Sequence, residues 1–237
     1  MGFYDVLSEN YDKIFPMKKT TLEFIKDKIK GSSVVDLGCG TGNYSIELSK
    51  EGFKVIGIDL DEEMINKARK KSYLLDNKPE FIVGNMLEID KLIENKVDFI
   101  FSIGNSIVHL ENEKEILKLF KDSYNILNKN GRLLIQIVNY DRILNKNITS
   151  LPTINVPEEK LSFIRKYKLE NNKIKFNTTI QKEDIQITNS IDLLPITKEK
   201  LEDMLETVGY NNIDFYGSFS GEDRNEDSFH TIVVANK

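Results

Sequence analysis

Hydrophobic positions follow three kinds of spacing along the chain. From residue 18 to about 144, short apolar runs alternate with helical periodicity. Val34-Val35, "KVIGIDL" at 54–60, "EFIVGNM" at 80–86, "VDFIFSI" at 97–103 and "RLLIQIV" at 132–138 are compact apolar segments of strand length. Between them, Leu22, Ile25 and Ile29, then Tyr44 and Leu48, then Ile116, Phe120, Tyr124 and Leu127 recur at the interval of one helix face. Helices are expected over 18–30, 43–50, 62–71 and about 112–127. Gly31 and Gly52 stop the first two, and Asp61 is placed to cap the third. Alternating strands and helices predict an α/β fold: a doubly wound, Rossmann-like, mainly parallel sheet with "VDFIFSI" near its centre.

The spacing changes near Asn145. Residues 145–160, "NKNITSLPTINVPEEK", hold two prolines and read as a loop. "LSFIRKYKLE" and "KIKFNTTI" then alternate apolar and polar residues, split by Asn171-Asn172, a hairpin signal. The segment 183–196 repeats Ile185, Ile187, Ile191 and Leu193, so about three half-exposed antiparallel strands are expected here. Helical spacing returns at Leu201, Leu205 and Val208 and ends at Gly209. "NIDFYG" and "SFHTIVVAN" close the chain as an antiparallel hairpin joined by 220–227. The organisation expected is a core of 1–144 and 195–237 with an N-terminal helical cap, plus an inserted antiparallel β segment, 145–194, serving as a substrate lid or dimerisation surface.

Composition narrows the partners. The 237 residues are 40% hydrophobic and 30% charged, as in a soluble globular protein with one sizeable core. A net charge of −5, with lysines dispersed among acids, gives no basic stripe for nucleic acid. Cys39 is the single cysteine and cannot form an internal disulfide. With no long apolar span and a mixed, polar N-terminus, a cytoplasmic location and no membrane association are expected.

Candidate chemistry concentrates in "VVDLGCGTGNYS", residues 34–45. Glycines at 38, 40 and 42 allow a sharp turn and close ligand approach. A dinucleotide-binding turn spaced G-x-G-x-x-G would place its third glycine at 43, which is Asn43. Asp36 would repel a pyrophosphate and attract a cation. Asp59 ends the second strand, where a carboxylate can accept both hydroxyls of a ribose. A ligand that is nucleoside at one end and ammonium at the other fits both acids, and S-adenosylmethionine is such a ligand. An NAD-dependent oxidoreductase and a non-catalytic S-adenosylmethionine-binding module are the alternatives.

Residues 34–59 resemble the first two motifs of class I S-adenosylmethionine-dependent methyltransferases. "GNM" at 84–86, "LNKNGRLLI" at 127–135 and the closing hairpin resemble later landmarks of that family. The resemblance implies a seven-stranded sheet with an antiparallel final hairpin, and S-adenosyl-L-homocysteine as product. It places Asp36, Gly38 and Gly40 along the methionyl part, Asp59 and Leu60 at the ribose, and Met64, Asn85 and Met86 near the adenine. Cys39, Ser102 and Tyr4 join the cofactor contacts. The adenine contact is commonly Asp in that family, and Asn85 departs from it. Met64 also suits a core position, and Asn85 also suits a turn cap.

The acceptor is approached through "GNSIVHL", 104–110, and "NYDRIL", 139–144, which resemble glycine N-methyltransferases and their small-molecule relatives. The antiparallel segment resembles the substrate-covering sheet of sugar N-methyltransferases. Asn105, Ser106, Asn139 and Tyr140 are therefore candidate substrate contacts, and His109 and Tyr11 candidate catalytic residues. His109 has a reference pKa of ~6.5 and can take a proton from an amine of pKa ~10; it can equally cap the helix after it. In glycine N-methyltransferases an arginine precedes the Asn-Tyr-Asp; Val138 stands there, so glycine is expected to be a poor substrate and Arg142 is the nearest other cation. "SIGNSIVHL" lacks the Asn/Asp-Pro-Pro-aromatic pattern of base amino-methylation, and Cys39 lies in the wrong turn for cytosine C5 chemistry. N-methylation of a small amine is the reading preferred over O-methylation of a small acid and over RNA or protein methylation. No metal is assigned, and a homodimer is allowed for.

Overall fold

The computed structural model describes residues 2–237; the side chain of Tyr4, one of the cofactor candidates, lies outside what is described. In chain order the elements are α1 (Phe3–Ile14), α2 (Lys19–Lys28), β1 (Ser33–Leu37), α3 (Asn43–Lys50), β2 (Lys54–Asp59), α4 (Glu62–Ser72), β3 (Glu80–Val83), α5 (Ile89–Leu92), β4 (Val97–Ser102), α6 (Glu113–Ile126) and β5 (Leu127–Val138). There follow α7 (Tyr140–Asn145), β6 (Ser150–Val156), β7 (Leu161–Glu170), β8 (Lys173–Lys182), β9 (Ile185–Leu193), α8 (Lys198–Val208), β10 (Asn211–Tyr216) and β11 (His230–Asn236).

Seven strands form one sheet in the order β10-β11-β5-β4-β1-β2-β3. The five strands β1 to β5 pair in parallel, while β11 is antiparallel to both β5 and β10. This is the doubly wound sheet with a reversed final hairpin that the apolar runs predict. Strand β4 carries Phe99, Ile100 and Phe101, all fully buried, because helices cover both faces. β1 lies between β2 and β4, so the chain leaves it in opposite directions on its two sides. That reversal opens a crevice at the carboxyl ends of β1 and β4, where ligands sit in open α/β sheets.

The second sheet has the order β6-β7-β8-β9 and is antiparallel throughout. It contains four strands, one more than the alternation predicts, because β6 forms inside the stretch read as a loop. The prolines concealed it. Pro152 is tolerated because β6 is an edge strand, and a register shift between Leu151 and Ile154 brackets it. Asn171 and Asn172 both have positive φ, 50° and 61°, as a two-residue hairpin turn requires.

Helix α1 joins the two sheets. Val6 and Ile14 pack with Val156, Leu161, Phe163 and Ile180 of the second sheet. The opposite end of that sheet contributes Tyr167, Ile174 and Leu193 to the main core, beside Val138 and Tyr140. Among the described residues, no helix is long and apolar enough to cross a membrane.

Candidate functional site

The turn after β1 is built by its hydrogen bonds. Gly38, Gly40 and Gly42 all have positive φ, between 54° and 74°, in the left-handed region that favours glycine. The N–H groups of Gly38 and Cys39 both donate to Ile58 O, at 2.8 and 3.1 Å. Gly40 N–H donates to Asp59 Oδ2 at 2.7 Å, and Asp61 N–H to Asp59 Oδ1 at 3.0 Å. The donors that would cradle a pyrophosphate are thus bonded to the end of β2. This argues against a dinucleotide on grounds independent of Asn43.

The site is acidic. Asp36 is buried, and its Oδ2 accepts from Ser45 Oγ at 2.6 Å. Burial pushes its carboxyl up to about 7; the Ser45 hydroxyl opposes this and the Asp59 charge adds to it. Burial also raises Asp59, against the pull of the two N–H donors. Two desolvated carboxylates beside one turn make a site for a cation.

Helix α1 closes over this turn. The Tyr11 hydroxyl lies 3.3 Å from the point a Cβ on Gly40 would occupy. Burial, and then the charges of Asp59, Asp12 and Asp36, push the Tyr11 phenol well up, so it stays protonated. Asp12 Oδ1 accepts from Thr41 Oγ1 and from Asn43 Nδ2, the latter at 2.8 Å, and Lys71 Nζ reaches Asp12 Oδ2 at 2.8 Å. Burial acts upward on Asp12, but the hydrogen bonds from Lys71, Thr41 and Asn43 outweigh it and hold its carboxyl below the usual range. Ser8 Oγ donates to Glu63 Oε1 at 2.6 Å, pinning the helix further along. Ser8, Asp12 and Lys71 were missed by the sequence reading. Asn43, noted there only for breaking a glycine spacing, helps to latch α1 onto α3.

The loop after β4 meets the glycine turn. A Cβ on Gly38 would lie 2.7 Å from Ser106 Oγ, and Met86 Cε is 3.8 Å from the same point. Asn105 sits at φ 72°, accepts from Val138 N–H at 3.0 Å, and donates to the Tyr140 hydroxyl at 3.0 Å. Ser102 Oγ donates to Leu37 O at 2.8 Å and ties β4 to β1. Met64 is buried and Met86 half-buried, whereas Leu60 is 73% exposed at the end of β2. Asn85 accepts from Leu87 N–H at 3.0 Å, the cap geometry anticipated for it. Cys39 Sγ lies 3.0 Å from the Cβ position of Gly57, and burial raises its thiol.

One candidate looks elsewhere. The Asn139 amide donates to Asn225 O and Ser228 O, and its oxygen accepts from Arg224 Nη2 at 2.8 Å and Arg142 N–H at 3.2 Å. It anchors the β10–β11 loop, and Arg224 also pairs with Asp141. His109 is exposed by accessible area, and its crowded surroundings lower its pKa by desolvation. Its neighbour Val108 accepts from Leu194 N–H at 2.8 Å, joining this loop to the end of β9. His230, read as structural, has its Nδ1 3.1 Å from Gln136 Nε2 between Phe219 and Phe229.

A family model described as a methyltransferase domain matches residues 34–131, which hold the glycine turn, Asp59 and the β4 loop. A protein of Saccharolobus solfataricus described as "Probable cobalt-precorrin-6B C(15)-methyltransferase (decarboxylating)" is 34% identical over 61% of this chain and 73% of its own length. The chain belongs to the class I S-adenosylmethionine-dependent methyltransferases. A glycine/sarcosine N-methyltransferase of Halorhodospira halochloris is 29% identical over the whole of this methyltransferase and 87% of its own length. In fold, the methyltransferase superposes on an S-adenosylmethionine-dependent methyltransferase of Clostridium acetobutylicum with a TM-score of 0.83 at 19% identity, covering 98% of both chains. S-adenosylmethionine is its cofactor, and the acidic, cation-seeking turn suits that group.

Proposed function

We propose that this methyltransferase N-methylates the amine of a small-molecule acceptor held between α1, the second sheet and the loops after β4 and β5. The observation that carries the reading is the roof over the crevice. Val6 and Ile14 of α1 pack onto Phe163 and Ile180 of the second sheet, while Tyr11 of the same helix reaches the glycine turn. A roof packed on both sides favours a small acceptor over a folded macromolecule. The similarity of the whole chain to a glycine/sarcosine N-methyltransferase, over 87% of that protein's length, supports an amine.

Bound S-adenosylmethionine supplies a methyl group already activated by its sulfonium, so the protein's task is positioning and exclusion of water. In this reading Asp36 faces the ammonium end and Asp59 the ribose hydroxyls. Leu60, Met64, Asn85 and Met86 border the adenine. Gly38, Cys39, Gly40 and Ser102 keep the turn in shape. Tyr11, held protonated, covers the donor as a hydrogen-bond donor and not as a base. Asn105, Ser106 and Tyr140 border the acceptor; Asn139 shapes that wall from behind. His109, neutral at pH 7 because desolvation lowers its pKa, accepts the proton that the amine must lose.

A panel of small amines, hydroxy acids and a tRNA fraction, incubated with methyl-labelled S-adenosylmethionine, tests this directly. Label on amine nitrogen is the expected result. Label only on oxygen or only on the macromolecule would overturn it.

A further inference from the structure

One polar side chain interrupts the apolar run "RLLIQIV" of β5. Gln136 is only 6% exposed. Leu134, two residues before it, and Ile232, paired with it on β11, pack with Leu22, Phe24 and Ile25 of α2. An amide on that face is costly unless its bonds are made.

The acceptors of Gln136 both serve the loop after β4. The Gly104 N–H donates to Gln136 Oε1 at 2.7 Å, and the Asn105 N–H donates to Gln136 O at 3.3 Å. Gly104 and Asn105 sit at φ 79° and 72°, two left-handed residues in succession. A Cβ on Gly104 would meet nothing within 4 Å, so backbone conformation and not crowding selects glycine there. Asparagine tolerates this region better than most side chains, but such a conformation persists only where its surroundings fix it. Gln136 supplies one acceptor to each of the two N–H groups. The turn then delivers Asn105 to the Val138 N–H and the Tyr140 hydroxyl, and Ser106 to Gly38.

His230 orients that amide. It pairs with Val138 across the strands and is the diagonal neighbour of Gln136. Because Gln136 Oε1 faces the Gly104 N–H, its Nε2 faces His230 Nδ1, 3.1 Å away, and donates to it. The ring is therefore neutral, with its proton on Nε2. Burial, and then the charge of Lys18, lower its pKa to about 4, which keeps Nδ1 free to accept. Phe219 and Phe229 pack against the ring.

We propose that Gln136, oriented by His230, is a positioning residue for methyl transfer: it sets the Gly104-Asn105 turn that brings Ser106 against the glycine turn and Asn105 into the acceptor wall. This rests on the reading that the cofactor lies along the glycine turn, and it is independent of which atom is methylated.

The test uses the intact protein with S-adenosylhomocysteine as probe. His230→Phe keeps a ring between Phe219 and Phe229 but removes the acceptor. His230→Asn loses the packing but keeps an oxygen near the place of Nδ1. If the ring acts through the Gln136 amide, His230→Phe should hold Tm near wild type. It should also speed exchange of the Gly104 amide, and weaken S-adenosylhomocysteine binding, at least about tenfold each. His230→Asn should lower Tm and keep both closer to wild type. A ring that only packs gives the reverse order, and that order overturns the proposal. Gln136→Met should show both losses more strongly. The protein has two histidines, so nitrogen NMR of the imidazoles reads His230 directly. A proton on Nε2 is expected from about pH 5.5 to 8, and a proton on Nδ1 at pH 7 overturns the relay. If Gln136→Met fails to fold, the two His230 variants and the wild-type spectrum decide. Faster Gly104 exchange with unchanged S-adenosylhomocysteine affinity also overturns the positioning role, provided Asp59→Ala weakens that affinity. If Asp59→Ala leaves it unchanged as well, the placement of the cofactor at the glycine turn is what fails, and the exchange rates and the spectrum decide the relay.

Discussion

Asp36→Asn should stabilise the ligand-free protein at pH 8 and change it little at pH 4. The Asp36 carboxyl is 3% exposed, and burial raises it from 3.8 to about 7. Between those values the folded protein keeps a proton that the unfolded chain has lost. Stability from this group therefore falls as pH rises through the window, and levels off above about pH 7. A separation of about three pKa units, at ~1.4 kcal/mol each, sets the full effect near 4 kcal/mol as an upper bound. Asparagine does not titrate, and its amide oxygen can still accept from Ser45. The unfolding free energy of the variant minus that of the wild type should rise by up to about 4 kcal/mol from pH 4 to pH 8. Urea denaturation at half-unit pH intervals, followed by circular dichroism with matched m-values, reads this difference. A difference that stays flat from pH 5 to pH 8 would refute the desolvated carboxylate. The same residue acts oppositely on the ligand. Wild-type cofactor binding at pH 6 should release a proton, seen as a buffer-dependent heat, and Asp36→Asn should abolish that release and weaken binding.

Asp59→Ala should weaken S-adenosylmethionine binding by about 1–3 kcal/mol and also lower Tm, because the Gly40 and Asp61 N–H groups lose their acceptor; unchanged affinity by calorimetry would remove the ribose assignment. His109→Ala should slow methyl transfer without changing S-adenosylhomocysteine affinity. The wild-type rate should fall only below about pH 6.5, since desolvation lowers this histidine; an acid limb above that pH counts against it as the base. Cys39 should react slowly with thiol reagents at pH 8 in the native state, because burial raises its thiol; fast labelling would mean that its packing on Gly57 opens readily.

Much of this was legible because local rules and tertiary demands agree. Apolar runs with helical spacing between them specified β1 to β5, and glycine stops, the Asp61 cap and Asn171-Asn172 marked the boundaries. The one missed strand, β6, shows where a local rule misleads: proline excludes a central strand but not an edge, and only the sheet order says which β6 is. Asp36 and Asp59 stood out since acids at the ends of buried strands have no packing role.

By itself, then, the sequence determined the sheet, the acidic glycine turn and the kind of cofactor, because each depends on residues close together along the chain. The tertiary structure alone decided what stands opposite that turn. Contacts such as Asp12 with Lys71, Tyr11 with Gly40, and Tyr167 of the second sheet with Tyr140 join segments tens of residues apart. Their pairing is set by how α1 and the second sheet pack, and no local pattern encodes it.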